Sequence, residues 1–210
     1  MVGDQAVDVR ARLRRVALAV PLSSLSFVLV LHAHLGLGPW HVLQEGISRH
    51  LGVSIGVAGW IMNMVIAAVA AGLGERSRLG TLAVVLAIGF GIDRFDPAIT
   101  VPSALVPRAA FLVAGTAGMA LAGALIISAK VGVAPLDALM TGLYRRSPVH
   151  LPISAVRVGM EALGLGLGVL AGGEIGVGSL LIGVGIGPAI HAWLLLLDAV
   201  PDRPTAVGVD

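Results

Sequence analysis

Gly36-Leu37-Gly38-Pro39-Trp40-His41 and Gly132-Val133-Ala134-Pro135-Leu136-Asp137 stand 96 residues apart in a chain of 210. Around them the sequence matches itself at the same offset without a gap: Ala33 falls on Ala129, Leu43 on Leu139, Gly46 on Gly142, Arg49 on Arg145 and Met64 on Met160. Gly72, Gly80, Gly89 and Gly91 then meet Gly168, Gly176, Gly185 and Gly187. Apolar chains match by chance, but so many coincident glycines and prolines at one offset mark a duplication. Each half reads as a long apolar stretch, a Gly/Pro turn with a short helix, and two further apolar stretches.

The surroundings of these turns are those of a membrane protein. Ala, Val, Ile, Leu, Met, Phe, Trp, Tyr and Cys make up 57% of the chain before its 29 glycines are counted. Ordinary soluble domains reach about 45–50% with glycine included. Charged residues are 12% of this chain, against about 25% in soluble domains, too few to cover a water-facing surface. Cysteine is absent, which excludes disulfides, Cys-ligated metals, iron–sulfur clusters and thiol chemistry. The basic residues, 13 Arg and the single Lys130, form no solvated basic run, so nucleic acid is excluded as a partner. The Arg bias fits a GC-rich bacterial genome. The expected partner is the lipid bilayer.

Charge-free apolar stretches cover 16–31, 53–73, 79–92, 109–129 and 175–197, and another runs from 151 past Arg157 and Glu161 to 173. A bilayer core needs about 20 residues of helix, and 79–92 is the short one. The first stretch follows Arg10, Arg12, Arg14 and Arg15 as a signal peptide would, but no small-residue cleavage site follows it, so it reads as a retained helix. With six spans and a cytoplasmic N-terminus, ten basic residues fall inside and Arg49, Arg94 and Arg108 outside, as the positive-inside rule prefers. The expectation is an all-α, polytopic bundle of about six transmembrane helices. It forms a single membrane domain over 1–210, with repeats at 16–100 and 109–197 and cytoplasmic tails at 1–15 and 198–210. The location is the bacterial cytoplasmic (inner) membrane, multi-pass, both termini cytoplasmic.

Three spans per half is an odd number, so the halves enter the membrane with opposite polarity. That is the inverted-repeat plan of many transporters, whose sites lie where the halves meet. Pro39 and Pro135 suit the first position of a helix, where the missing N–H is no loss. A helix of about 12 residues reaches only about 18 Å, too short to cross. Each turn helix is therefore either re-entrant, aiming its positive dipole end at the membrane centre, or an interfacial elbow. In the elbow, Trp40 sits at headgroup depth and Asp137 satisfies its own helix start.

The charges inside the last three apolar stretches are few, and Arg157 with Glu161 is the informative pair. Four residues apart, they share a helix face and can pair. Their stripe continues through Gly164 and Gly168, a spacing that admits a close neighbouring helix. Their repeat equivalents Ile61 and Val65 are apolar, so the bundle does not need the charges. An intramembrane pair is a functional candidate; the alternative is a packing ion pair with Arg157 reaching the rim. Asn63 lies among Gly59, Ala67 and Ala71 and is expected to bond across helices. Gly183, Gly185 and Gly187 read as helix-packing glycines rather than a nucleotide loop, since no Lys-Ser/Thr follows. His32, His34, His41 and His50 lack the spacing of a metal site, and no cofactor or catalytic constellation is expected. The candidate binding or gating set is thus Arg157, Glu161, Asn63, Pro39, Trp40, His41, Pro135 and Asp137.

Several motifs together resemble the YczE-like group of bacterial integral membrane proteins (YczE, YyaS, YitT). They are Gly38 to Leu43 with Gly46-Ile47-Ser48, Gly132 to Asp137, Arg145-Arg146, Val156-Arg157 with Glu161, and Gly172 to Ser179 followed by Ile186-Gly187-Pro188. The resemblance spans most of 30–195 and implies the same order of spans, with members linked to production or secretion of secondary metabolites. It departs at His41, where the group usually carries an acidic residue. The expected function is permease-like transport or export of a small solute. The alternative is a non-transport accessory protein that docks a partner protein or a second copy of itself.

Overall fold

A computed structural model describes residues 9–147 and 152–197. The expected tail 198–210, with Arg203, lies outside the described residues. The described chain forms eight α-helices and one 3-10 turn: α1 Val9–Ala33, α2 Pro39–Leu51, α3 Ile55–Gly72, α4 Leu79–Phe95 running into the 3-10 turn Asp96–Ala98, α5 Leu105–Ser128, α6 Pro135–Arg146, α7 Ile153–Leu170 and α8 Val177–Leu196. There is no strand among the described residues. The order long, short, long, long occurs twice. Five helices, α1, α3, α5, α7 and α8, are long and apolar enough to cross a bilayer. At 17 residues, α4 spans about 25 Å at 1.5 Å per residue, and it carries Asp93 and Arg94 in its last turn.

Local chemistry sets the ends. Pro39 and Pro135 each take the first position of their helix, where no donor is lost. Ser54 caps α3 by accepting from the Val57 N–H at 3.3 Å, satisfying one of the orphan donors there. After both α1 and α5 the backbone reverses in the same way. His34 (φ 48°) and Lys130 (φ 52°) are left-handed, and Gly36 (φ 103°) and Gly132 (φ 140°) follow two residues later. These pairs are 96 residues apart, so the duplication extends to the dihedral angles. The last two positions favour glycine because a Cβ is strained at such φ. Each turn also lodges on the other half of the chain: Gly36 lies against Gly176 and Ser179, and Gly132 against Arg78 and Thr81.

Helix directions follow from specific contacts. The antiparallel pairing of α5 with α1 is marked at both ends. Arg108 Nε donates to the Ala33 carbonyl (2.6 Å) and Arg15 Nη1 to the Ser128 carbonyl (2.8 Å). Running parallel to α1, α4 takes a bond from Ser24 Oγ at the Ile88 carbonyl (2.9 Å), and His32 Nε2 meets Asp96 Oδ1 (2.8 Å). In the second half α8 runs parallel to α5, with Gly178 beside Leu112 and Gly123 beside Ile190. Gly164 and Gly168 of α7, and Ala171 just after it, lie beside Trp40, Leu43 and Gly46 of α2 in ascending order. The core forms around α1, where Val30, Ala33, Leu37, Val42, Leu112 and Ile182 make one buried cluster.

One pairing is not repeated. The Asp93 carboxylate at the end of α4 accepts from Ser54 Oγ (2.6 Å) and from the Gly56 N–H at the start of α3 (2.7 Å). Trp60 Nε1 donates across to the Leu86 carbonyl (3.0 Å). At the 96-residue offset Asp93, Gly56 and Trp60 become Ala189, Pro152 and Val156. None of the three fasteners survives, and α7 stands away from α8. The expectation that Gly183, Gly185 and Gly187 pack against a helix is therefore corrected: no atom lies within 4 Å of where their side chains would be. Gly89 and Gly91, their counterparts, are pressed against Trp60 and Ser24.

Candidate functional site

The gap between α7 and α8 leads to a cavity of about 1350 Å³. Its wall takes residues from α1, α3, α4, α5 and α8, the first turns of α2 and α6, and Arg157 with Glu161 on α7. Trp40 lies on Gly164, near the middle of α7, and His41 meets the Phe27 ring edge-on with centroids 5.0 Å apart. This corrects the elbow reading in which Trp40 sits at the rim. The bare backbone at Gly164 and Gly168 lets α2 press close to α7, and α2 climbs from there until Arg49 reaches the end of the bundle.

The α6 start lies lower on the same helix. Arg157 Nε donates to Glu161 Oε1 (2.9 Å), and its Nη1 is 3.6 Å from Asp137 Oδ1. Arg157 and Gly164 are seven positions apart, so the two short helices begin about 10 Å from each other along α7. Asp137 makes no cap for its own helix, contrary to the elbow reading, because its carboxylate faces the Arg157 guanidinium. Six of the eight candidate residues, Pro39, Trp40, His41, Asn63, Arg157 and Glu161, thus line one cavity. Asp137 joins them through Arg157, while Pro135 is fully buried at the start of α6 and is not part of the lining.

Asn63 lines the cavity but donates to the Gly59 carbonyl of its own helix (2.9 Å), not to another helix. Gln44 occupies the space beside Gly59 and donates to the Ile55 carbonyl (2.8 Å). Ser179, which closes the Gly172–Ser179 motif, also lines the cavity, as does Gln44, which was not singled out from the sequence. Nothing in its spacing distinguishes Gln44 from a surface polar residue; only the dive of α2 brings it inside.

A family of unknown function, DUF6198, matches residues 11–194. The chain belongs to this family. It is also similar to a protein of Haemophilus influenzae described as uncharacterized. The two are 30% identical over 176 residues, 84% of this chain and 80% of that protein. No solved structure matches. The family's span takes in both Gly/Pro turns and the Arg157–Glu161 pair, so the cavity lies wholly within the matched region.

Two arginine clasps hold the ends of the bundle in this family member. Arg49, ending α2, donates to Glu174 Oε1 (2.8 Å) and to the Gly172 carbonyl (3.2 Å) in the α7–α8 loop. Its repeat equivalent Arg145, ending α6, donates to Glu75 Oε1 (2.9 Å) in the α3–α4 loop. Each short helix is thus tied to the hairpin of the other half. The hydrogen bond from Arg49 holds the Glu174 carboxyl below its ordinary value of 4.5. A lowered carboxyl contributes stability above that ordinary value and loses it as pH falls through the lowered one. Protection of the α7–α8 loop amides, taken relative to the intrinsic exchange rate at each pH, is expected to fall as pH drops below the ordinary carboxyl value of 4.5, and an Arg49→Ala variant is expected to show the lower protection already at neutral pH.

Proposed function

We propose that this protein is a permease-like transporter or exporter of a small solute in the bacterial cytoplasmic membrane. In this reading α4 with its 3-10 extension completes a sixth span, and the halves α1–α4 and α5–α8 are inverted repeats with both termini cytoplasmic. The YczE-like group named by the sequence motifs is the proposed kinship within this architecture. One observation carries the proposal: the cavity is lined by the starts of both short helices and by Arg157 and Glu161. Helix N-termini and an ionisable pair meeting at the junction of two repeats are the ingredients of a transporter site. The packing-pair and docking readings predict a closed bundle around Arg157, and the cavity disfavours them. Among the described residues no serine of the lining is hydrogen-bonded to a histidine or a carboxylate, and binding and passage rather than catalysis are proposed.

Reconstitution in proteoliposomes tests this. Uptake or release of candidate solutes above empty liposomes is expected, and Arg157→Ala and Glu161→Gln are each expected to lower it about tenfold or more. Absence of any flux, with both variants altering only thermal stability, returns the pair to a packing role.

A further inference from the structure

We propose that the solute is an organic cation with an apolar body, admitted from the bilayer through the gap between α7 and α8. The inference deepens the transport reading and rests on it. The first observation is the opening itself. Because Trp60, Gly56 and Asp93 have no functional counterparts in the second half, α7 and α8 are unlatched along their length. Val158 on α7 and Leu180 and Val184 on α8 line the cavity yet are 68%, 70% and 70% exposed, so the cavity is not closed off where these two helices face each other. Both helices are apolar enough to cross the membrane, so this doorway faces hydrocarbon rather than water.

The second observation is the lining. Phe27, Met62, Ile88, Met119, Leu165 and Ile186 present apolar side chains to the cavity, which suits a body that partitions from lipid and offers nothing to a strongly hydrated solute. The third is the charge. Asp137 and Glu161 share the single Arg157 guanidinium, so two acidic groups stand against one basic group beside the cavity. Glu161 spends Oε1 on Arg157. One turn further along the same face of α7, the Trp40 indole lies across Gly164 and lines the cavity. A carboxylate next to an aromatic face is the pairing that recognises organic cations, which are attracted by both the charge and the ring quadrupole. Pro188, in the α8 wall, has no N–H to return to the Val184 carbonyl four residues earlier, which leaves that acceptor without its helical donor beside the cavity.

Tetraphenylphosphonium and tetraphenylborate, equal in shape and opposite in charge, make the test. Binding of each is measured on the full chain in nanodiscs, with empty nanodiscs subtracted. Saturable binding of the phosphonium and none of the borate is expected. Glu161→Gln is expected to weaken phosphonium binding at least about tenfold. Gly183→Trp, built into open space and therefore tolerated by the fold, is expected to close the doorway and abolish binding even if Glu161→Gln fails to fold. Equal or tighter binding of the borate overturns the proposal in favour of an anion at the start of α2, and saturable binding of neither ion overturns it outright. Phosphonium binding without flux in proteoliposomes leaves the cation site standing and removes the transport reading. Flux of other solutes without phosphonium binding does the reverse.

Discussion

Gly168→Val is expected to leave little folded protein, with a loss of about 3 kcal/mol or more, the upper range for overpacking. A Cβ at Gly168 would stand 2.5 Å from the Leu43 nitrogen and 2.7 Å from the Val42 carbonyl carbon. Both are backbone atoms inside α2, and they cannot rotate away as a side chain could. The contact sits where the α2 backbone presses on α7, so relief requires α2 to leave the position that brings Trp40 and His41 to the cavity. Gly166, two residues earlier, is the control: nothing lies within 4 Å of its Cβ position. There an alanine is expected to be neutral, or to stabilise by up to about 0.5–1 kcal/mol through helix propensity. Size-exclusion profiles and melting of the detergent-solubilised variants check both. A monodisperse Gly168→Val with unchanged melting would show that α2 does not lie against α7.

Glu45→Ala is expected to destabilise the protein by about 2 kcal/mol, the worth of hydrogen bonds to a charged group. Glu45 is only 6% exposed. Its Oε1 accepts from Arg49 Nη2 (2.8 Å) and its Oε2 from the Glu174 N–H (2.8 Å), so one carboxylate ties α2 to the α7–α8 loop. Truncation leaves a partly buried N–H without an acceptor. Arg49 keeps Glu174 as a partner, which limits the loss. Glu45→Gln, retaining one acceptor, is expected to cost less. On the opposite rim Glu75→Ala breaks only the pair with Arg145, whose side chain is 70% exposed, and a change of under about 1 kcal/mol is expected there. Equal melting shifts for Glu45→Ala and Glu75→Ala would contradict the asymmetry between the two clasps.

These expectations also mark where the sequence was legible. The element order was, because apolar length, the Gly/Pro turns and the 96-residue repeat are local signals. The left-handed His34 and Lys130 show the repeat reaching the backbone itself. The Arg157–Glu161 pair was legible for the same reason, since i and i+4 on a helix must meet. The depth of α2 was not. Its length is too short to cross and fits an elbow or a re-entrant helix equally, and the choice depends on Gly164 and Gly168, more than a hundred residues away. Glycine matches show the same limit. Gly72 and Gly168 coincide at the repeat offset, yet Gly168 is pressed by α2 while nothing lies near the Cβ position of Gly72. Gln44 and Glu45 were missed because a polar residue on a short amphipathic helix reads as its wet face.

By itself the sequence determined a helical membrane protein, its duplicated order of elements and the few residues able to carry charge within it, because composition and short-range periodicity act along the chain. Only the tertiary structure decided which of those residues share a cavity, and that α3 locks to α4 while α7 stands clear of α8. The reason is that packing is a property of pairs. The absence of Asp93, Gly56 and Trp60 equivalents is written in the second half, but it becomes an opening only when the helices they would have joined are brought side by side.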